Sequence, residues 1–435
     1  MSKKEKLIVI PEYKECLKYI KRKEPFVFVS GKAGVGKSVL ISYLQKKLKH
    51  KNVIKLAPTG ISAINVQGQT IHSFFGFPSE ALNSKNFYIK NKVLLTMIQQ
   101  LDILIIDEIS MVRADVLDAI NKSLQINRRT KKPFGGVQVV AVGDLFQLPP
   151  VVKSYQEKQY FKSHYESEFF FSAKVFEEVD MYIKPVFLEK VFRQSDQQTI
   201  DCLNKIRINK DHRNAVAYIN RNCFGKKGQF SKIPRTITLT TNNRKCDYIN
   251  QSSLQNINKQ LYQFEAEVEG NFNVNMPTPK TLNLKVGAKV MFTKNDALWV
   301  NGTLGEVTNI FPDSIMVKLQ GTNKTVTVER ATWKNKKYVL EYGELVAKDV
   351  GKFVQFPLTL AWAITIHKSQ GLTLDDMLID LDTGAFVAGQ VYVALSRCKN
   401  LNNVSLARPI SMTDVSVDQR VIKFYNSLFE DFEEL

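Results

Sequence analysis

A chain of 435 residues with 44% apolar and 24% charged side chains has an ordinary globular composition and is long enough for roughly two to four domains, each with its own core. Lys and Arg number 61 against 42 Asp and Glu, and the formal charge of +19 favours a polyanionic partner, nucleic acid first, although a generally basic surface gives the same total. Five dispersed cysteines (Cys16, Cys202, Cys223, Cys246, Cys398) without a C-x-x-C pair argue against a disulfide framework or a zinc site and fit a reducing interior; no run nears ~18 apolar residues, so no membrane partner or span is expected.

In chain order, the N-terminal MSKKEKLIVIPEYKE has too short an apolar stretch for a secretory leader, which adds to an intracellular expectation. Short apolar strands then alternate with amphipathic helices, the pattern of a parallel sheet covered on both faces. Strands are predicted at Phe26–Ser30, Val53–Ala57, Leu101–Asp107 and Val137–Gly143, and helices at Val39–Leu48 and Asp115–Ile126. The alternation resumes near Val186, with a helix at Asp196–Arg207 and a strand at Thr236–Thr241. Between about Gly287 and Gly351 it gives way to short strands separated by turn signals such as Asn301-Gly302 and Pro312-Asp313, which predicts a small inserted β-barrel. Alternation returns at Leu358 and runs to a last helix ending near Phe429, followed by the acidic EDFEEL. Basic runs (Lys46-Lys47, Arg128-Arg129 with Lys131-Lys132, Lys334 with Lys336-Lys337) are scattered and draw no single stripe.

The strongest chemical signal is GKAGVGKS, Gly31 to Ser38, directly behind the strand Phe26–Ser30. Its spacing fits G-x-x-x-x-G-K-[ST], and a strand delivering a glycine turn to a helix start is the context that lets backbone N–H groups converge on phosphate. Gly31, Ala33, Gly34, Val35 and Gly36 would cradle ATP, Lys37 would reach the outer phosphates, and the Ser38 hydroxyl would ligate Mg²⁺. LDILIIDEIS ends an apolar strand in Asp107-Glu108, placing Asp107 to hold Mg²⁺ and Glu108 to deprotonate the attacking water. VVAVGDLFQLPPV sets Gln147 just past another strand, where it can sense the terminal phosphate; alone, such a residue is an ordinary loop glutamine. No second G-K-[ST] follows Ser38, so two similar lobes are expected to share one nucleotide.

Arg193 in VFLEKVFRQ and Arg397 in QVYVALSR are candidate arginine fingers, with surface salt bridges as the alternative. For nucleic acid, APTGISAINVQGQTIHSFFGF offers Thr59, Thr70, His72 and Ser73 for phosphates, and Phe74, Phe75 and Phe77 for stacking on unpaired bases or for the core. LAWAITIHKSQGLTLD adds His367 and Lys368.

Read in order, GKAGVGKS, APTGISA, TIHSFF, IIDEISM, FGGVQVVAVGDLFQLPPV, VFRQ, VNGTLGEV, AITIHKSQGLTLD and VYVALSRCKNL resemble the Pif-type family of superfamily 1 DNA helicases, related to RecD-type and Dda-type enzymes. The resemblance covers nearly the whole chain, and Asp115–Phe134 lies where that family carries its signature segment. It implies an α/β fold of two RecA-like P-loop lobes: residues 1–187 with a wedge at about 60–80, then 188–287 together with 351–435, with a β-barrel inserted at 288–350. It implies an ATP- and Mg²⁺-dependent monomer translocating 5′ to 3′ on single-stranded DNA. Such an enzyme unwinds duplex at single-strand/duplex junctions, and folded G-rich DNA, in genome maintenance, in the nucleoid-containing cytoplasm if bacterial. Lys37, Ser38, Asp107, Glu108, Gln147, Arg193, Gly371 and Arg397 match the family's ATP-site positions. Thr59, His72, Ser73, Phe74, Thr241, Asn242, His367 and Lys368 fall at or beside its DNA contacts. Relatives carry a glutamine upstream of the phosphate loop that reads the adenine edge; here Tyr13 stands in its place, so looser base selectivity is expected. An NTP-gated single-strand clamp that does not unwind, or a nucleotide switch, are the alternatives.

Overall fold

The computed structural model describes residues 8–429, apart from 78–86, 90, 153–154, 195, 226–236, 271, 273–275, 300, 323 and 342–343. The chain divides into two compact units, one of Met1–Phe192, Lys336–Asp349 and Asp418–Leu435, the other of Arg193–Asn335 and Val350–Val417.

The first unit is built on a six-stranded, wholly parallel sheet. Its strands are β1 (Phe26–Gly31), β2 (Val53–Ala57), β3 (Gln69–Thr70), β4 (Ile103–Ile106), β5 (Gln138–Gly143) and β6 (Ile183–Leu188), in the spatial order β3-β2-β4-β5-β1-β6. Helices α1 (Pro11–Lys21), α2 (Lys37–Lys47), α3 (Gly60–Asn65), α4 (Ile71–Phe75), α5 (Lys92–Gln100), α6 (Ala114–Asn127) and α7 (Tyr155–His164) complete it.

Every residue of β1 is buried, because alternate side chains serve opposite faces of the sheet. Val27 and Val29 join Val140, Val142, Ile103 and Ile105 under Tyr13 and Cys16 of α1 and Leu40 and Leu44 of α2. Phe26 and Phe28 enter an aromatic cluster with Phe134, Phe170 and Phe176 on the other face.

The strand near Val186 belongs to the first sheet, since β6 runs parallel to β1 from Phe26↔Ile183 to Gly31↔Leu188. The end of the chain differs from the sequence reading. The last helix (Gln419–Leu428), expected in the second lobe, packs in the first unit. Its Phe424 stacks on Phe171 at 4.3 Å, and its fully buried Tyr425 hydrogen-bonds the Ser30 hydroxyl. The Leu145 N–H also donates to the Tyr425 hydroxyl, at 3.4 Å. An aromatic face rather than sequence proximity decides where this helix docks.

In the second unit, α8 (Gln197–Ile208) and α9 (His212–Cys223) precede β7 (Ile237–Thr240) and α10 (Asn243–Gln255). After them come β8 (Tyr262–Glu265), β9 (Glu267–Gly270), β10 (Thr281–Leu284), β11 (Lys289–Phe292), β12 (Leu304–Ile310), β13 (Ser314–Leu319) and β14 (Thr325–Glu329). The chain continues through β15 (Ala331–Glu341), β16 (Glu344–Gln355), β17 (Leu358–Leu360), β18 (Ala363–Thr365) and β19 (Met377–Asp380) to α11 (Gln390–Leu395) and β20 (Val404–Leu406); α12 is the last helix, already placed. Strands β18-β7-β19-β20 form a four-stranded parallel sheet.

The inserted β region is an antiparallel sheet β14-β13-β12-β11-β17 whose core also takes Phe264, Leu282 and Leu284 from the β8–β10 ribbon. It therefore starts before the expected residue 288 and ends at β17, after residue 350. The apolar positions of β8 and β10 are too few and too short to stand out in sequence, yet they cap this core. Among the described residues no helix is long and apolar enough to cross a membrane, and all five cysteines are free and buried.

Candidate functional site

The phosphate loop leaves the buried end of β1 and enters α2 through Gly34 and Gly36, at φ of 82° and 89°. Glycine alone adopts this left-handed geometry without strain. A Cβ on Gly36 would also lie 2.5 Å from the Tyr13 hydroxyl. That hydroxyl donates to the Gly36 carbonyl at 2.7 Å, and the buried Tyr13 ring packs beside Tyr43 at 5.8 Å. Burial, with the charge of Glu12 adding, pushes the Tyr13 phenol up to about 12. Tyr13 thus points into the loop backbone, and its single donor is engaged there.

Gly36 caps α2 without a side-chain acceptor of its own, so the cap residue spends none of the N–H groups of the first turn. The Lys37 ammonium donates to the carbonyls of Gly31 at 2.8 Å and Lys32 at 2.9 Å, and the Ser38 side chain stands exposed at the same helix start. Phe192, which sequence reasoning passed over, donates its N–H to the Gly34 carbonyl at 2.9 Å and keeps its ring 43% exposed beside Gly36. Its only sequence signal is an aromatic residue next to a candidate arginine.

The wholly buried β4 delivers Asp107, which is 8% exposed and anchored by its N–H to the Leu56 carbonyl at 2.9 Å. Burial, and then the charge of Glu108, raises the Asp107 carboxyl well above the ordinary carboxylate range; the Glu108 N–H and Lys37 pull the other way. Such a carboxylate calls for a cation. Glu108 follows at φ 50°, a left-handed conformation unusual for a non-glycine residue, which turns it out of the strand line and leaves it half-buried. Buried Gln147 lies after β5, its amide 3.4 Å from the Asp144 carboxylate and its N–H on the Asp144 carbonyl.

The donor set fits Mg²⁺: one raised, buried carboxylate and one exposed hydroxyl, both hard oxygen ligands, with the remaining positions left to phosphate oxygens and water. No cluster of three or more His, Cys, Asp or Glu residues that could form an all-protein cage occurs among the described residues.

The residues expected to touch nucleic acid share a local design. Thr59 follows β2 and caps α3, its hydroxyl accepting the Ser62 N–H; Thr70 ends β3 and caps α4 through the Ser73 N–H. Asn242 caps α10 through the Lys245 N–H at 2.9 Å, next to buried Thr241. Ser73 is exposed and His72 half-buried; burial, with nearby Arg113, lowers the His72 pKa, so the ring is neutral near pH 7. His367 is likewise lowered by burial, while Lys368 and Gly371 stand exposed in the turn after β18.

Phe74 corrects the sequence reading. It is 3% exposed and packs edge-on against Phe75 at 4.9 Å, with Phe75 stacked on Phe77 at 5.1 Å. These rings, with Ile71 and Val66, are buried in the small element around β3, and none stands exposed to stack on a base.

Arg193 and Arg397 meet at one segment of the second unit. The Arg193 guanidinium donates to the Ser396 carbonyl at 3.1 Å, and Gln194 spans the carbonyls of Ser396 and Cys398. Arg397 is 1% exposed, its Nε on the Val393 carbonyl at 2.9 Å and its Nη2 on the Ser396 hydroxyl at 2.6 Å.

A PIF1-like helicase family model matches residues 11–216. The Pif1 ATP-dependent DNA helicase of Bdellovibrio bacteriovorus is 33% identical over 426 residues, covering 95% of this chain and 91% of that protein. The chain belongs to the PIF1-like helicase family. Mouse PIF1, also an ATP-dependent DNA helicase, is 32% identical over 92% of this chain, and the chain spans 60% of its length. Among solved structures, Bacteroides Pif1 in complex with ADP-AlF4 superposes with a TM-score of 0.87 at 38% identity over 97% of both chains. The same Bacteroides protein bound to single-stranded DNA gives 0.70, again over 97% of both chains. Within this PIF1-like chain the first unit holds the loop, the acidic pair and Gln147 on neighbouring strand ends of one sheet.

Proposed function

We propose that this chain is an ATP-driven DNA helicase that moves 5′ to 3′ along single-stranded DNA and unwinds duplex at single-strand junctions. The observation that carries the reading is the meeting, on adjacent parallel strands β4, β5 and β1, of an uncapped glycine-loop helix start with a raised carboxylate and a second acid. A protein that merely stores nucleotide has no use for the second acid, and Glu108 is held turned away from the strand to act on water.

In this mechanism Lys37 and the first-turn N–H groups of α2 hold the triphosphate, leaving its terminal phosphorus accessible for in-line attack. Bound Mg²⁺, held by the Ser38 hydroxyl and the Asp107 carboxylate, would neutralise charge building on the phosphate oxygens. Glu108 takes the proton of the attacking water, Gln147 registers the terminal phosphate, and Arg193 and Arg397 supply positive charge in the transition state. Phe192 stacks on the base, a contact every base can make. With Tyr13 committed to Gly36, the enzyme accepts GTP nearly as well as ATP.

Thr59, His72, Ser73, Thr241, Asn242, His367 and Lys368 contact the strand. Unpairing DNA costs about 1.4 kcal/mol per base-pair step, so each hydrolysis must be tied to a step along that strand. The enzyme works as a monomer in a reducing, DNA-containing compartment, in keeping with its free buried cysteines.

The reading is tested with two partial duplexes, one bearing a 5′ tail and one a 3′ tail, with and without ATP. Displacement only of the 5′-tailed substrate, and only with ATP, is expected. Binding without displacement would make the protein a clamp.

A further inference from the structure

A basic hollow lies on the edge of the first sheet away from the phosphate loop. Two adjoining clefts, of about 760 and 550 Å³, share Arg128, Lys132 and Gly136 in their walls. The larger is floored by Pro25, Ile103 and Gln138, at the beginnings of β1, β4 and β5, whereas the phosphate loop leaves β1 at its end. Six residues of extended chain separate the two, about 20 Å, so the hollow is no part of the nucleotide site.

Its cations come from three stretches that sequence order keeps apart: Lys21 and Lys23 at the end of α1, Lys47 and Lys51 around the end of α2, and Arg128, Arg129 and Lys132 after α6. Two are structurally engaged. Arg128 donates to the carbonyls of Gln99, Leu101 and Gly135, and Lys51 pairs with Asp102 at 3.6 Å. Lys21, Lys23, Arg129 and Lys132 are exposed and make no ion pair among the described residues. Only Asp102 and Asp180 bring negative charge to the walls. Unpaired like charges drawn around one concavity repel each other unless an anion enters.

We infer that this hollow binds the phosphate backbone of double-stranded nucleic acid, a second contact separate from the path of the translocating strand. Duplex is favoured over single strand because single-strand sites pair their cations with exposed stacking rings. The walls hold two rings, His50 and Tyr182, and the larger, Tyr182, is already tied by its hydroxyl to Glu24 and lies under Lys184. Cations that far outnumber the rings suit backbone contacts that ignore sequence. The inference rests on the helicase reading only for the identity of the polymer; its physical content is a site for duplex phosphates.

The test replaces Lys21, Lys23 and Lys132 together by Glu, exposed positions whose change breaks no ion pair. A Gln triple variant serves as the milder partner, and the melting temperature of each is checked. Binding to a blunt duplex is measured by fluorescence anisotropy across a salt series, and ATP hydrolysis is measured with a short single-stranded oligonucleotide. The Glu variant is expected to lose at least tenfold in duplex affinity, with a salt slope flatter by about 0.9 for each phosphate contact removed. Hydrolysis stimulated by the single strand should match the parent in both variants, and the duplex affinity of the Gln variant should fall between those of the parent and the Glu variant. Unchanged duplex binding overturns the inference, as does an equal loss of single-strand stimulation. Displacement of the duplex by polyglutamate at matched charge would overturn it too, pointing to an acidic protein surface. If the parent hydrolyses ATP without regard to DNA while the lysine variants still lose duplex binding, the helicase reading fails and this site stands.

Discussion

The two parallel sheets of the molecule end their strands in helices that begin in opposite ways. In the first unit, β1 feeds α2 through Gly36, which has no side chain to cap the helix. In the second, β7 feeds α10 through Asn242, whose own carboxamide accepts the Lys245 N–H. Leaving a helix start uncapped keeps its N–H groups for a phosphate; capping it with a side chain spends one of them on the fold. The acidic residues divide the same way. Asp107 in the first unit is buried with its charge opposed, whereas buried Asp414 in the second accepts both Arg408 nitrogens at 2.8 Å and is held well below the ordinary range. One unit stores an electrostatic demand for ligand, and the other has met it internally.

The sharpest way to break this comparison is at the loop. Lys37→Ala should lower ATP hydrolysis at least about a hundredfold while single-strand affinity, measured by anisotropy, stays within a few-fold. Glu108→Gln should slow hydrolysis by about 10²–10⁴ yet retain bound ATP on a filter. Next in size is Gly36→Ala, which meets both the 89° φ and the Tyr13 hydroxyl. Nucleotide affinity should fall more than tenfold by calorimetry, and adding Tyr13→Phe should recover only part, since the backbone strain remains.

The carboxylates give a smaller, pH-dependent pair. Because the Asp107 carboxyl is raised in the folded chain, the folded state holds the extra proton, and stability falls as pH climbs from the ordinary carboxylate value through the raised one. Asp107→Asn should therefore raise the melting temperature of the nucleotide-free protein at pH 8 and match the parent near pH 4. Asp414 is lowered, so its contribution is present above the unfolded carboxylate value and lost as pH falls through the folded one. Asp414→Asn should lower the melting temperature at pH 8, and the two thermal scans decide whether the signs are opposite. Smallest of all is base choice: kcat/KM for ATP and GTP should agree within about tenfold, and a strong ATP preference would show that a group other than Tyr13 reads the base.

How much of this was legible in the residues follows from range. GKAGVGKS and the apolar run before it fix strand, loop and helix through local geometry, and the structure returns them almost residue for residue as β1 and α2. Asp107, Glu108 and Gln147 could be placed because wholly apolar strands point their ends at the same sheet edge. What depended on distant partners did not show. The docking of α12 rests on rings at Phe28, Phe171 and Phe424, far apart in sequence. The burial of Phe74 depends on how a short segment finds a core. The basic hollow, assembled at the ends of three helices, appeared in the sequence only as scattered basic residues.

The central claim is that triphosphate cleavage in the first unit is coupled to travel along a single strand. The steady-state rate of ATP hydrolysis with and without a saturating single-stranded oligonucleotide tests it most directly. The account predicts at least tenfold stimulation, lost in the Glu108→Gln variant. Equal rates in the two conditions would contradict it.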